Sequence, residues 1–501
     1  MAPDDHRTRA INPLMVALAV LHPFFFAVAF ILDRFALTNS SAHELTRPLV
    51  VAVLIAALLL LAGWAVFRRA PSAALFASTA FLVLAFHPFP ALVMLGAGTW
   101  WVLVANLRRR RSGTRPPLQL SDLPVLVAVG YSVLLLAAGL WSAGSALTPK
   151  LASDIELAVP TDGGEGGPDV YLLVLDGYTR SDTLAEEFGF DNTAFEAELG
   201  DLGFRTSPVA EANYNKTWLT IASILNAVYV QDLPELADPP DSAPAQARLA
   251  EELINAGAVL DVLRLRGYEI ISIPSSVPST DVTAGVDVRQ VPNLNSLEIA
   301  LVTSSLPSWL ASDPVLDFLA ADVRAYADNQ MRLLREAAAE RAEAPRLVMT
   351  HLMQPHPPFV LGQEPDYLDG CFPGCKIWET TVDETGMADE AYAARMRIQV
   401  EELNRLVIET LREVVAIDPD ATMVVMSDHG ARHHLDGTDE HFRILFAARG
   451  GELNVEFPDD ASPVNLFRQI LTSAFDADLP DLPYRAWASD WHLPLTITPR
   501  R

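Results

Sequence analysis

Five long apolar stretches, at roughly 12–32, 48–67, 71–86, 88–106 and 123–144, fill the first 146 residues and constrain the fold more than any other feature. A bilayer core of about 30 Å takes about 20 apolar residues per helix, and most of these stretches reach that length. One such stretch alone is compatible with a buried core helix. Five in series leave no soluble partner to bury against, so the pattern predicts a five-helix transmembrane bundle over residues 1–146. The third stretch is short, and the fourth follows directly on His87-Pro88-Phe89-Pro90, which reads as a helical hairpin with a tight turn.

Basic residues orient the bundle. Arg7 and Arg9 precede the first span, Arg68 and Arg69 follow the second, and Arg108 to Arg111 with Arg115 follow the fourth. With five spans all three clusters share one face, which the positive-inside rule makes cytoplasmic. The chain then reads as a multi-pass plasma-membrane protein with a cytoplasmic N-terminus and an extracytoplasmic part after residue 146. No small-residue cleavage pattern follows the first span, so it is not read as a signal peptide.

Beyond the spans the character of the chain changes. Residues 147–168 form a flexible linker, ending in Thr161-Asp-Gly-Gly-Glu-Gly-Gly-Pro168. Helical patterns follow at about 181–188, 192–202, 217–228, 245–266, 313–342 and 388–416, interleaved with strand patterns at 169–175, 268–273, 346–351, 422–427 and 442–447. Strands separated by helices predict one α/β domain, over residues 169–480, with a mostly parallel sheet flanked by helices. Residues 481–501 are read as a C-terminal tail. The net charge of −27, with the basic clusters gathered around the spans, argues against nucleic acid as a partner. Cys371 and Cys375 are the two cysteines, and in an oxidising compartment they read as a short-loop disulfide.

Two strands end in acids. Asp169-Val-Tyr-Leu-Leu-Val-Leu175 runs into Asp176-Gly177, and Thr422-Met-Val-Val-Met426 runs into Ser427-Asp428-His429-Gly430. Open α/β sheets place their chemistry just past the carboxyl ends of the strands, and carboxylates beside an imidazole suit a divalent cation. A third constellation, Asn213-Tyr-Asn-Lys-Thr217-Trp-Leu-Thr220, opens a helix. A hydroxyl there meets the positive end of the helix dipole, which favours an alkoxide and an incoming phosphate. Capping is the alternative role for Thr217, and Thr220 is the fallback nucleophile. A fourth is His351-Leu-Met-Gln-Pro-His356-Pro-Pro-Phe359, a strand entering a Pro-restricted loop that aims His356 at the site.

In this order the motifs resemble the sulfatase-like branch of the alkaline phosphatase superfamily. The spans before an exported domain are similar to membrane lipoteichoic acid synthases and phosphoethanolamine transferases. The resemblance covers roughly residues 169–475 and, more loosely, the anchor. It implies an α/β domain of alkaline-phosphatase/sulfatase type and places a nucleophilic, metal-bound threonine at Thr217, after Asn215-Lys216. It implies one divalent metal ion (Mn, Zn, Mg or Ca) held by Asp176, Thr217, Asp428 and His429. No histidine lies between His356 and His429 to supply the additional Asp-x-x-x-His pair of two-metal members. His356 matches a substrate-contacting His-x-Pro element, with Arg180 and His441 as further candidate contacts and His351 as the weaker histidine.

No Cys/Ser-x-Pro-x-Arg element for a formylglycine nucleophile follows the first strand, which favours phosphorus over sulfur. Asp176 stands where lipoteichoic acid synthases use Glu, and the many disulfides of phosphoethanolamine transferases are missing. The resemblance implies ping-pong transfer: a phospho-head group moves from a membrane lipid to Thr217, then to an envelope glycan or to water. The alternatives are a sulfatase-like hydrolase, whether phosphodiesterase, phosphatase or sulfuric ester hydrolase, and a non-catalytic cell-envelope scaffold.

Overall fold

The computed structural model describes residues 13–37, 42–85, 123–146 and 155–500, apart from 161–165, 237–238, 276, 306–312, 341, 358, 364–387, 432–438, 491–492 and 494. It divides into two compact units: Met1–Thr148 with Leu297–Leu310, and Pro149–Ser296 with Ala311–Arg501.

The first unit is helical. Among its described residues are α1 (Pro13–Leu37), α2 (Thr46–Phe67), α3 (Ala70–Ala85) and α4 (Leu123–Ala146). Small residues line the packed face of α2, where Pro48, Ala52, Ala56 and Gly63 are buried, and Ala73, Ala74 and Ala77 do the same on α3. Small side chains let apolar helices approach closely where lipid removes the hydrophobic driving force. The opposite faces expose Leu54, Leu58, Leu61, Val66, Leu134 and Trp141.

The five spans read from the sequence are matched in part. Among the described residues two helices, Thr46–Phe67 and Val127–Gly144, are long and apolar enough to cross a membrane, and Ala70–Val83 is shorter. The stretch 88–106 lies outside the described residues. A further helix from late in the chain, Ser296–Ser305, supplies the buried Leu297 to this unit, and Arg47 Nε donates to Glu298 Oε1 at 3.1 Å.

The second unit is an α/β domain. In chain order it contains β1 (Val170–Leu175), α5 (Ser181–Phe188), α6 (Thr193–Asp201), β2 (Arg205–Thr206), α7 (Thr217–Asn226), α8 (Ala243–Asn255), α9 (Ala258–Leu265), β3 (Glu269–Ile273) and β4 (Asp287–Val288). After α10 (Ser296–Ser305), which groups with the first unit, come α11 (Asp313–Ala339), β5 (Arg346–Leu352), α12 (Asp389–Ile417), β6 (Thr422–Met426), β7 (Phe446–Arg449) and α13 (Leu466–Phe475). A two-stranded hairpin, β8 (Trp487–Ser489) and β9 (Ile497–Pro499), occupies the residues read as a tail.

The seven-stranded sheet has the order β2-β7-β6-β1-β5-β3-β4. Four of its six strand pairings are parallel, as expected, and β7 runs antiparallel to both β6 and β2, so the sheet is mostly parallel with a mixed side. The strand expected at 442–447 begins only at Phe446, because Asp439–Phe442 turns as a short 3₁₀ helix. Every residue of β1, β5 and β6 is buried, which explains the apolar runs Val170–Leu175, 347–349 and 423–426 without the alternation of a half-exposed strand. Val174 pairs with His351 on one side and with Met426 on the other. The next residues along β1 and β6 are therefore delivered side by side at one rim of the sheet.

Candidate metal centre and nucleophile

Asp176 follows β1, while Ser427, Asp428 and His429 follow β6. The chain leaves β1 through Gly177, whose φ of +70° lies in the region open to glycine at little cost. A β-carbon on Gly430 would stand 1.9 Å from the Glu440 carbonyl oxygen, so that position admits no side chain. These two turns hold Asp428 and His429 against Asp176. Gly177 N donates to Asp428 Oδ1 at 3.0 Å, and Gly430 N donates to the His441 carbonyl at 2.8 Å.

The side chains then converge on one small space. His429 Nδ1 lies 2.8 Å from the Gly430 carbonyl, so Nδ1–H donates there and the Nε2 lone pair faces the other way. It faces Asp176 Oδ1 and Asp428 Oδ2, each at 3.3 Å. Both of those carboxylate oxygens are buried and lack a hydrogen-bond donor. Three acceptors pointing at one another are unstable without a positive charge between them, whether a cation or a second proton on His429.

Thr217 completes the group. Its Oγ1 lies 3.3 Å from Asp176 Oδ2 and 3.5 Å from His429 Nε2. Separations near 3.3 Å match the edge of a tetrahedron whose centre is about 2.0 Å from each corner, the usual bond length from zinc to oxygen or nitrogen. The donor set therefore fits a small divalent metal ion, with Asp176, Asp428 and His429 as a ready cluster.

Local structure also bears on the capping alternative. The residue preceding the first turn of α7 is Lys216, in extended conformation with no side-chain cap, and Thr217 is already helical. Its hydroxyl is directed at Asp176 rather than at the backbone of its own helix. Thr220, the fallback, donates instead to the Asp428 carbonyl at 2.9 Å and supports that loop from behind.

His351 stands closer to the chemistry than its sequence context suggested. Its Nε2 is 3.4 Å from Asp176 Oδ2, Thr280 Oγ1 lies 3.3 Å from its Nδ1, and Gln330 Nε2 donates to its carbonyl at 2.7 Å. Burial alone would raise the Asp176 carboxyl. Hydrogen bonding by His351 and His429, with the charge of His356, outweighs it and holds Asp176 well below the usual carboxylate range. Burial alone would lower His351, and the neighbouring Asp176, Asp428 and Asp281 carboxylates outweigh that and raise it. Asp281, buried beside them, is pushed up to about 6 by desolvation, although it accepts a hydrogen bond from Ser275 N.

The candidate substrate contacts are placed unequally. His356 is buried next to the site, with its N–H donating to the Asp176 carbonyl at 3.0 Å and its Nδ1 2.6 Å from the Pro357 carbonyl. Gln399 of α12 donates to the carbonyls of Pro355 and His356 and so clamps that loop. His441 is buried in the 3₁₀ helix that supports Gly430. Arg180 forms a two-pronged pair with Asp182, at 2.9 and 2.7 Å, and donates to the Ala210 carbonyl. That pairing is the first cause of the lowered Asp182 carboxyl. Cys371, Cys375, His433 and His434 lie outside the described residues.

Sequence reasoning missed His351 as a neighbour of Asp176, and it missed Gln399 and Thr280. Nothing local marks a glutamine on a long helix or a threonine in a short 3₁₀ turn as a support for a site assembled from distant parts of the chain.

No family model matches the chain, and no curated protein matches it. Among solved structures it is similar to the C-terminal periplasmic domain of EptC from Escherichia coli in complex with Zn, at 12% identity and a TM-score of 0.43, covering 68% of this chain and 94% of that one. It is also similar to the integral membrane lipooligosaccharide phosphoethanolamine transferase A (EptA) from Neisseria meningitidis, at 12% identity and a TM-score of 0.43, covering 94% of this chain and 97% of that one. A third is the phosphonate monoester hydrolase of Agrobacterium radiobacter, at 13% identity and a TM-score of 0.38, covering 66% and 82%.

Proposed function

We propose that this chain is a membrane-anchored, metal-dependent phosphotransferase that carries a phospho-head group from a lipid on Thr217 before passing it to an acceptor. The observation that supports this best is the position of Thr217 Oγ1, at the start of a helix, 3.3 Å from Asp176 Oδ2 and 3.5 Å from His429 Nε2, beside the buried Asp176 Oδ1 and Asp428 Oδ2, which lack donors. A non-catalytic scaffold has no need to set a hydroxyl beside two carboxylates that each keep a buried oxygen without a donor.

In this reading Asp176, Asp428, His429 and Thr217 hold one divalent metal ion. When bound, the ion lowers the pKa of the threonine hydroxyl and offsets negative charge on the phosphoryl group. The Thr217 hydroxyl donates toward Asp176 Oδ2, so its proton has an acceptor in line. Thr217 Oγ forms a bond to phosphorus as the bond from phosphorus to the diacylglycerol oxygen breaks. The N-terminus of α7 then faces the charge gathered on the equatorial oxygens. In this reading His356 donates to the phosphoryl group or the leaving oxygen. In the second half an acceptor hydroxyl, from an envelope glycan or from water, attacks the same phosphorus and releases Thr217.

A hydrolase would share each of these residues and differ only in the acceptor. The apolar helices support a membrane location, with the α/β domain outside the cytoplasm beside its lipid donor. The test is intact mass and peptide mapping of the full chain after incubation with phosphatidylethanolamine and phosphatidylglycerol in the presence of manganese or zinc. A phosphoethanolamine or phosphoglycerol adduct on Thr217, missing in Thr217→Ala, is the expected result. Absence of any adduct, together with no turnover of phosphodiester or sulfate esters, overturns the proposal.

A further inference from the structure

The loop that delivers Thr217 is stitched, residue by residue, to a segment more than 260 positions later. Glu211 pairs with Arg500, at 3.3 Å. The Ala212 carbonyl accepts from the Tyr484 hydroxyl at 3.2 Å. Asn213 donates its side-chain amide to the Arg485 carbonyl at 2.9 Å, and its carbonyl accepts from Trp487 N at 2.8 Å. The Tyr214 ring stacks on Trp487, with centroids 5.7 Å apart and planes at 21°. The Asn215 side-chain oxygen accepts from Ser489 N at 2.8 Å. Five consecutive residues are thus engaged, ending two short of Thr217.

The same segment reaches the other wall of the site. Arg500 donates to Asp439 and lies over the Phe442 ring, 4.6 Å from its centroid. Those residues flank His441 in the 3₁₀ helix, whose carbonyl holds Gly430 beside His429. The hairpin has its own anchors: Trp487 packs edge-on against Tyr229 at 4.9 Å, and buried Leu495 donates its N–H to Gln246 of α8 at 2.8 Å. The Arg500–Asp439 pair is too exposed to add much stability, since Asp439 is 72% exposed. Its worth is geometric.

We infer that the β8–β9 hairpin is a positioning device for the site, with Trp487 its principal positioning residue and the loop 211–216 its target. This deepens the proposed function and rests on Thr217 being the group that attacks phosphorus. A displacement of about 1 Å in such a loop is enough to cost on the order of 10²-fold in rate while leaving the metal donors in place.

The experiment uses the full chain with zinc and compares wild type, Trp487→Ala, Trp487→Phe and Arg500→Gln. Amide exchange of peptides covering 211–218 is followed against β1, alongside bound zinc and the single-turnover rate and KM for labelling Thr217. In Trp487→Ala the 211–218 amides are expected to exchange about 10-fold faster with β1 unchanged. Labelling is expected to slow by about 10- to 100-fold at unchanged KM and zinc content. Trp487→Phe, which keeps a ring on Tyr214, restores most of the rate. Should Trp487→Ala not fold, Arg500→Gln gives the same pattern at about 3-fold. Unchanged exchange at 211–218 in a folded variant overturns the inference even if the wild type never labels, and so does wild-type labelling by Trp487→Ala. Failure of the wild type to label, with faster exchange in the variant, counts against Thr217 as nucleophile and leaves the positioning role standing.

Discussion

Strand β1 has an aspartate at each end, and their surroundings are opposite. Asp169, just before Val170, is paired with Arg346, which donates to it from its backbone N–H at 2.7 Å and from its guanidinium Nε at 2.8 Å and so offsets the neighbouring Asp418 carboxylate. Nη2 of Arg346 also donates to Asp169, and Nη1 donates to the carbonyls of Ala337 and Glu340. Asp176, just after Leu175, is 2% exposed, and its Oδ1 faces a histidine nitrogen with no donor between them. One end closes the fold with a complete ion pair. The other holds unbalanced negative charge that a cation can satisfy, an arrangement that costs stability in exchange for a site. The contrast teaches that burial of a carboxylate says little about its role until its partners are counted.

Substitution at the open end should produce the largest effect. Thr217→Ala is expected to lower labelling by about 10⁴-fold or more, and Asp176→Asn to abolish zinc binding. At the closed end the reverse is expected. Arg346→Met should cost about 3–5 kcal/mol by leaving Asp169 buried without its partner, while zinc bound per folded molecule stays the same in a titration.

Metal addition sharpens the comparison on a smaller scale. At about 100 times its Kd, zinc should stabilise the wild type by about 2.7 kcal/mol. The gain should persist in Arg346→Met and vanish in Asp428→Ala, read by thermal melts with and without chelator. The smallest effect concerns Asp281, two groups behind the open end. Its folded pKa, raised to about 6, means that it binds a proton more tightly folded than unfolded. Its contribution is fully present below its ordinary pKa of about 4 and is lost as pH rises through about 6. Stability should therefore fall by about 2–3 kcal/mol from this group across that interval, and Asp281→Asn should flatten that part of the profile.

Much of the site was legible because it sits where buried strands stop. Asp176 directly follows one apolar run, Asp428 and His429 follow another after Ser427, and a sheet delivers such residues to one rim. Thr217 was legible only through the resemblance, since a threonine at a helix start has many uses. Helix boundaries were less legible where caps come from afar. The pattern at 245–266 reads as one helix, yet the chain breaks at 256–257, and Ala258 N is bonded to the Asn226 side chain of α7 at 3.3 Å. Strand direction at the sheet's edge was not legible, because the apolar content of 442–449 is the same whether it pairs parallel or antiparallel.

The sequence by itself determined that apolar helices precede an α/β domain and that two strands end in metal-type donors. Composition and periodicity are local properties that do not depend on what packs nearby. Only the tertiary structure decided which donors meet, that His351 stands against Asp176, and that the residues read as a tail form a hairpin gripping the loop of Thr217. Those facts depend on contacts between segments tens to hundreds of residues apart. Hydrogen bonds and stacked rings at such separations leave no periodic trace in the chain that forms them.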